Sequence, residues 1–127
     1  MKKIFSMLFL LTLLLCNTTS ANALKYEEAI NQSKPMALFV YADWADDAAK
    51  LKQSFDAMEK KYGNTYNFVS MNIASADTKE FNKKYPIYAN LPYVLLFKDR
   101  GKISRYLQRT CVMDTSCFSE KLNFFAN

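Results

Sequence analysis

Residues 36–50 constrain the fold of this chain more than any other stretch. Met36 to Ala42 form a nearly unbroken apolar run, which predicts a strand buried on both faces. A helix is predicted next, with Asp46 and Asp47 in its first turn, where the helix dipole favours carboxylates. Its apolar residues are spaced by three and four and form one stripe: Ala48, Leu51, Phe55, Met58 and Tyr62. This strand-to-helix junction predicts an α/β fold with its chemistry at residues 44–47.

The remaining segments predict alternating helices and strands in one domain. A short helix is expected at residues 26–31, a second strand at 68–73 and a helix that begins at 75–77 and ends before Pro86. An apolar strand from Leu91, a turn at residues 99–101 and an alternating strand at 102–107 predict a hairpin. A polar loop at 108–114 precedes a last helix capped by Thr115 or Ser116.

The segment Tyr41-Ala42-Asp43-Trp44 resembles the active-site segment of the thioredoxin family, in which a buried strand runs into Trp-Cys-x-x-Cys at a helix N-terminus. It is especially similar to the C-terminal thioredoxin-like domain of bacterial transmembrane disulfide reductases. Leu91-Pro92 and the apolar strand after it resemble the family's cis-proline strand. The likeness spans residues 24–127. It implies an α/β thioredoxin-like fold, a central mixed four-stranded sheet flanked by helices, with a cis bond before Pro92.

The chain departs from this family at the two positions that carry its chemistry. Ala45 and Ala48 stand where the cysteines are expected, so the motif reads Ala45-Asp46-Asp47-Ala48. Thiol chemistry needs a reactive thiolate and a resolving thiol, and a methyl group supplies neither. Phe39 also replaces a buried acidic residue of thioredoxins proper. The resemblance therefore implies the fold but no catalytic residue at the usual site.

The resemblance also implies a peptide-binding groove bordered by Trp44, Leu91, Pro92 and Tyr93. In the family, the backbone just before the cis-proline pairs with an extended client peptide. Exposed aromatic side chains would add contact area with a polar handle. The alternative is that some aromatic residues near this motif, Tyr41 and Tyr88 among them, simply belong to the core.

Cys111 and Cys117 are the only cysteines after residue 23. An even number of cysteines in an exported chain predicts a disulfide, and five intervening residues allow the two to meet. Two interpretations stay open. The bond is a structural staple for the last loop, or it is a redox pair with Cys117 near a helix N-terminus.

Residues 1–23 have the features of a secretory signal peptide. Lys2 and Lys3 precede an apolar run at residues 4–15, and Ala21-Asn22-Ala23 is a small-x-small cleavage site. The run is shorter than the ~20 residues that span a bilayer. We therefore expect a domain at residues 24–127 that is periplasmic or secreted, with no stable membrane span after cleavage.

Charge and composition narrow the classes of function. Removing residues 1–23 takes away only Lys2 and Lys3, so the formal net charge falls from +5 to +3. The basic residues are not clustered, which argues against nucleic acid as a partner. The chain has no histidine, and successive carboxylates such as Asp46 and Asp47 point about 100° apart on a helix, so no metal site or cofactor is expected.

Together these features favour an exported, monomeric protein that is redox-inactive at Ala45 and Ala48. Its expected partner is a peptide or protein client in the cell envelope, bound at the face containing Pro92. The alternative is an envelope thiol-disulfide oxidoreductase that uses Cys111 and Cys117. Whether the chain is an enzyme is left undecided, with the balance toward a non-enzymatic role.

Overall fold

The computed structural model describes residues 25–75, 78–85 and 91–127. The expected signal peptide and Tyr88 lie outside the described residues. The helices and strands of the described part are, in chain order, α1 (Tyr26–Ile30), β1 (Met36–Tyr41), α2 (Ala48–Tyr62), β2 (Asn67–Asn72), α3 (Thr78–Lys84), β3 (Tyr93–Lys98), β4 (Ile103–Leu107), α4 (Arg109–Met113) and α5 (Thr115–Ala126).

The four strands form one mixed sheet in the order β2-β1-β3-β4. β1 pairs in parallel with β2, with Met36 opposite Asn67, and antiparallel with β3, with Met36 opposite Phe97. β3 and β4 form an antiparallel hairpin in which Val94 lies opposite Leu107. The predicted mixed four-stranded sheet flanked by helices is confirmed.

β1 is buried on both faces, as its apolar run predicts. Met36, Leu38 and Val40 face a core cluster that also contains residues of α1 and α3. Ala37 and Phe39 face a second cluster built with α2 and α5. Because successive strand residues point to opposite faces, a buried central strand needs apolar residues at every position. The short connection at residues 42–47 joins the carboxyl end of β1 to the start of α2.

Tight backbone geometry closes the β3–β4 hairpin. Asp99, Arg100 and Gly101 all have positive φ, at 55°, 55° and 82°. A Cβ on Gly101 would lie 2.8 Å from Cδ1 of Ile30, so the turn needs glycine there both for its backbone angle and for space.

Three local predictions at helix ends were wrong. α2 begins at Ala48, so Asp46 and Asp47 precede the helix, and Asp47 has a left-handed backbone with φ 63°. The expected loop at residues 108–114 contains the five-residue helix α4. Asp114 caps α5 by accepting hydrogen bonds from the backbone N–H groups of Ser116 and Cys117, so neither Thr115 nor Ser116 is the cap. A carboxylate caps well here because it accepts from two N–H groups at the positive end of the helix.

β4 is more exposed than its alternating sequence predicts. Only Leu107 is buried, while Ile103 and Tyr106 are 45% and 44% exposed. β4 is the last strand at one edge of the sheet, and its exposure shows that the flanking helices do not cover it fully. Within residues 25–75, 78–85 and 91–127, none of the helices is both long and apolar enough to cross a membrane.

Candidate functional site

The turn between β1 and α2 carries the sequence motif Trp44 to Ala48. Ala42 is buried at the end of β1, and the backbone N–H of Ala45 donates to its carbonyl at 3.1 Å. This turn projects Trp44 into solvent with 72% of its surface exposed. Ala45 packs against the core cluster that contains Leu91 and Tyr93. The methyl groups at positions 45 and 48 offer no nucleophile or titratable group.

The other three predicted binding residues lie under the surface. Leu91, Pro92 and Tyr93 are all buried, Leu91 with 4% and Tyr93 with 2% of its surface exposed. The Leu91–Pro92 peptide bond is cis. The ring of Tyr93 packs 5.4 Å from that of Tyr106 on β4. Of the four predicted binding residues, only Trp44 therefore has an exposed side chain that a partner can contact directly.

Arg109, which sequence reasoning missed, joins these two segments. Its Nη2 donates to the carbonyl oxygen of Leu91 at 2.6 Å, and its Nη1 lies 3.6 Å from Oδ2 of Asp47. The guanidinium thus links the turn before α2, the segment before Pro92 and helix α4. The guanidinium therefore uses one lone pair of the Leu91 carbonyl oxygen. The family resemblance assigned the backbone of Leu91 to pairing with a client peptide. No spacing in the sequence signals this contact, because it joins positions 18 and 62 residues apart.

Cys111 and Cys117 form a disulfide with an S–S distance of 2.09 Å and a Cα–Cα distance of 5.2 Å. The predicted pairing is confirmed. Cys111 lies in α4 and Cys117 in the first turn of α5, and both residues are half-buried. Their neighbours Val112 and Phe118 are fully buried and anchor each helix in the core. The bond is therefore held at the surface by packing on both sides of it.

An open groove of about 470 Å³ runs beside the disulfide. Its walls include both cysteines, the end of β4 at Tyr106 and Leu107, and the side chains of Asp114 and Lys121. Asp114 places a carboxylate at the helix end that bears Cys117: its Oδ1 accepts from the Cys117 N–H at 3.3 Å. A thiolate at a helix N-terminus is stabilised by the helix dipole, and a nearby carboxylate opposes that effect.

The acidic residues around the motif do not form a metal site. Asp47 faces Arg109, and Oδ1 of Asp43 accepts a hydrogen bond from the Asn72 amide at 3.3 Å. Across the described part of the chain, no group of three or more acidic, cysteine or histidine residues is placed to hold a metal ion.

Comparisons with known proteins agree with this architecture. The Plasmodium falciparum oxidised thioredoxin structure has a TM-score of 0.62 at 15% identity, covering 80% of this chain and 90% of that one. The Malassezia sympodialis thioredoxin structure has a TM-score of 0.64 at 15% identity, covering 81% and 87%. At these identities the likeness establishes the fold.

Sequence similarity is local. The chain is 37% identical over 54 residues to the chloroplastic thioredoxin-like protein HCF164 of Arabidopsis thaliana, and equally to that of Oryza sativa. The match covers 42% of this chain but only 21% of those relatives, so the chain spans a small part of their length. No family model matches the sequence. The chain therefore has a thioredoxin-like fold and a local sequence similarity to thioredoxin-like proteins, with a Cys111–Cys117 disulfide outside the position of the usual motif.

Proposed function

We propose that this chain is a thiol-disulfide oxidoreductase whose redox pair is Cys111–Cys117. The observation that carries the proposal is the position of the disulfide: both cysteines are half-exposed and line an open groove on a thioredoxin-like fold. Sequence reasoning favoured a redox-inactive binding protein, because Ala45 and Ala48 exclude thiol chemistry at the usual site. The paired, accessible cysteines support the alternative better.

The exchange is written as two displacement steps. A client thiolate attacks Sγ of Cys111, forming a client–Cys111 disulfide as the Cys111–Cys117 bond breaks and Cys117 leaves as a thiolate. A second client thiolate then attacks the client sulfur of this mixed disulfide and releases Cys111. The client dithiol loses two electrons and two protons and becomes a disulfide, and the cysteine pair becomes two thiols. A second disulfide-bearing partner would restore the oxidised pair by the same exchange.

The environment favours Cys117 as the leaving group. Cys117 lies in the first turn of the 12-residue helix α5, where the dipole stabilises a negative sulfur. Lys121 lines the same groove and adds positive charge, while Asp114 opposes both effects. Cys111 lies at the middle of the short helix α4 and has no comparable helix terminus beneath it.

We also propose that the exchange takes place outside the cytoplasm, in the periplasm or secreted. The support is the signal-like pattern of residues 1–23, since stable disulfides are typical of exported proteins.

A redox titration of the purified full chain tests the proposal. Free thiols at Cys111 and Cys117 are counted by mass after alkylation across a range of glutathione potentials. Exchange near −120 to −230 mV, the range of known catalytic dithiols, would support it, and a bond that persists below about −300 mV would overturn it. A Cys16→Ala background excludes the third thiol from the count.

A second candidate function is the binding of a client at Trp44, favoured by the 72% exposure of that side chain. Because Trp44 is the chain's single tryptophan, its fluorescence reports directly on this face. A candidate client that shifts the emission, and binds at least tenfold more weakly to Trp44→Ala, would support this role. An Ala45→Cys, Ala48→Cys double variant provides the comparison for activity: if the unmodified protein already reduces insulin disulfides as well as this variant, binding is not its main role.

A further inference from the structure

We propose that the outer edge of β4 pairs with an extended, acidic segment of a protein client and delivers a client cysteine to Cys111–Cys117. This inference rests on the proposed oxidoreductase function and names its substrate class. The client is recognised by its backbone and its charge, at a surface distinct from the segment before Pro92.

The first support is the open edge of the sheet. β4 pairs on one side with β3, from Lys98↔Ile103 to Val94↔Leu107, and no other strand of residues 25–75, 78–85 and 91–127 pairs with its outer side. In an antiparallel pair, every second residue directs its N–H and C=O away from the partner. Four of the five β4 residues are exposed, and the strand contains no proline. Such an edge accepts an added strand through main-chain hydrogen bonds.

The second support is continuity between this edge and the disulfide. β4 ends at Leu107, and Gln108 leads directly into α4, which carries Cys111. Tyr106, Leu107 and Gln108 line the same groove as both cysteines. A client strand that follows β4 toward its carboxyl end therefore reaches the disulfide within a few residues, at about 3.3 Å per residue.

The third support is charge. Lys102 and Arg105 are exposed at the edge, and Lys121 lines the groove, against the single carboxylate of Asp114 there. The guanidinium of Arg105 lies 5.9 Å from the ring centroid of Phe124, which is 70% exposed beside it. A segment with carboxylates complements these cations, and its apolar side chains can cover the exposed rings.

The test uses synthetic ten-residue peptides with one cysteine, reacted with the oxidised full chain. One peptide carries glutamates, one carries lysines at the same positions, and two carry backbone N-methyl groups at alternating residues in either phase. The rate of mixed-disulfide formation is measured by mass. We expect the glutamate peptide to react about tenfold faster than the lysine peptide. In one of the two N-methylated peptides, the methyl groups should lie on the N–H groups that face β4. That peptide should lose most of the tenfold rate advantage, because it cannot donate main-chain hydrogen bonds to β4.

Charge reversal at Arg105 localises the effect. Arg105→Glu should lower the rate with the glutamate peptide about fivefold and raise it with the lysine peptide. Lys25→Glu is the matched control: it makes the same change in net charge beside α1, which packs against β1 and β2. Equal effects of the two variants would overturn the proposal.

Two further readouts separate this proposal from the proposed function. Reduction by glutathione at a catalytic potential, with no preference among the peptides, would overturn the β4 site and leave the oxidoreductase function standing. Glutamate peptides with serine in place of cysteine should still bind, with nuclear magnetic resonance shifts at β4 amides, even if the disulfide proved inert. Self-association of the chain in sedimentation, with shifts at β4 amides and no peptide binding, would overturn the proposal, because the edge would then pair with a second copy.

Discussion

Reduction of Cys111–Cys117 should lower the free energy of unfolding by a modest, calculable amount. The sequence separation of six closes a loop of seven residues. The chain-entropy model gives about 2.3 kcal/mol for a loop of this size at 25 °C. By comparison, truncating a fully buried phenylalanine such as Phe118 costs about 3–5 kcal/mol. The packing of Val112 and Phe118 therefore contributes more to this region than the covalent bond, and the reduced protein is expected to stay folded.

Urea unfolding of the full chain, followed by far-ultraviolet circular dichroism, measures this difference. The oxidised protein is compared with the same protein in excess reductant, and a Cys111→Ala, Cys117→Ala double variant is the control. The reduced protein and the double variant should agree within about 1 kcal/mol, since both lack the loop constraint. Unfolding on reduction without urea would refute the reasoning, because a pair that works by exchange needs a folded reduced form.

Three further predictions follow from particular contacts. Arg109→Ala should cost about 2–3 kcal/mol in urea unfolding, since it removes a charged donor from the carbonyl of buried Leu91; a loss under about 0.5 kcal/mol would contradict the contact. Asp114→Asn keeps an α5 cap but removes a negative charge that disfavours a thiolate at Cys117, so glutathione should reduce the disulfide faster. An unchanged rate would contradict the assignment of Cys117 as the leaving group. Burial, and then the nearby Tyr85, raise the pKa of Tyr26 from 10.0 to about 12, and burial likewise raises that of Tyr66. Because the folded state holds these protons more tightly, stability is full below pH 10 and is lost as pH rises toward 12. Tyr26→Phe should flatten this loss, measured by urea unfolding between pH 9 and about pH 11.5.

The parts of the fold that were predictable have short-range or strongly periodic signals. β1 shows as a continuous apolar run, and the α2 stripe places Leu51, Phe55 and Met58 in the core. The cysteine pairing followed from number and spacing. These patterns reflect burial, which a sequence records directly in residue type.

The parts that were missed depend on tertiary contacts. Helix α4 has five residues and no side-chain cap, so its stability comes from buried Val112, the disulfide and Arg109 rather than local propensity. The left-handed backbone of Asp47 has no sequence marker as clear as a glycine. The exposure of β4 depends on its place at the edge of the sheet, which alternation alone does not encode.

Helix α4 connects the two candidate functional regions. Through Arg109 it is bonded to Leu91 and faces Asp47, beside the turn where the family's cysteines are replaced by alanine. Two residues later, through Cys111, it carries half of the disulfide. The Arg109 guanidinium donates a hydrogen bond to the carbonyl before Pro92, whereas the groove beside the disulfide is open. We therefore place client binding at the free edge of β4, which no other described strand pairs with and which leads to the only sulfur pair of the described residues.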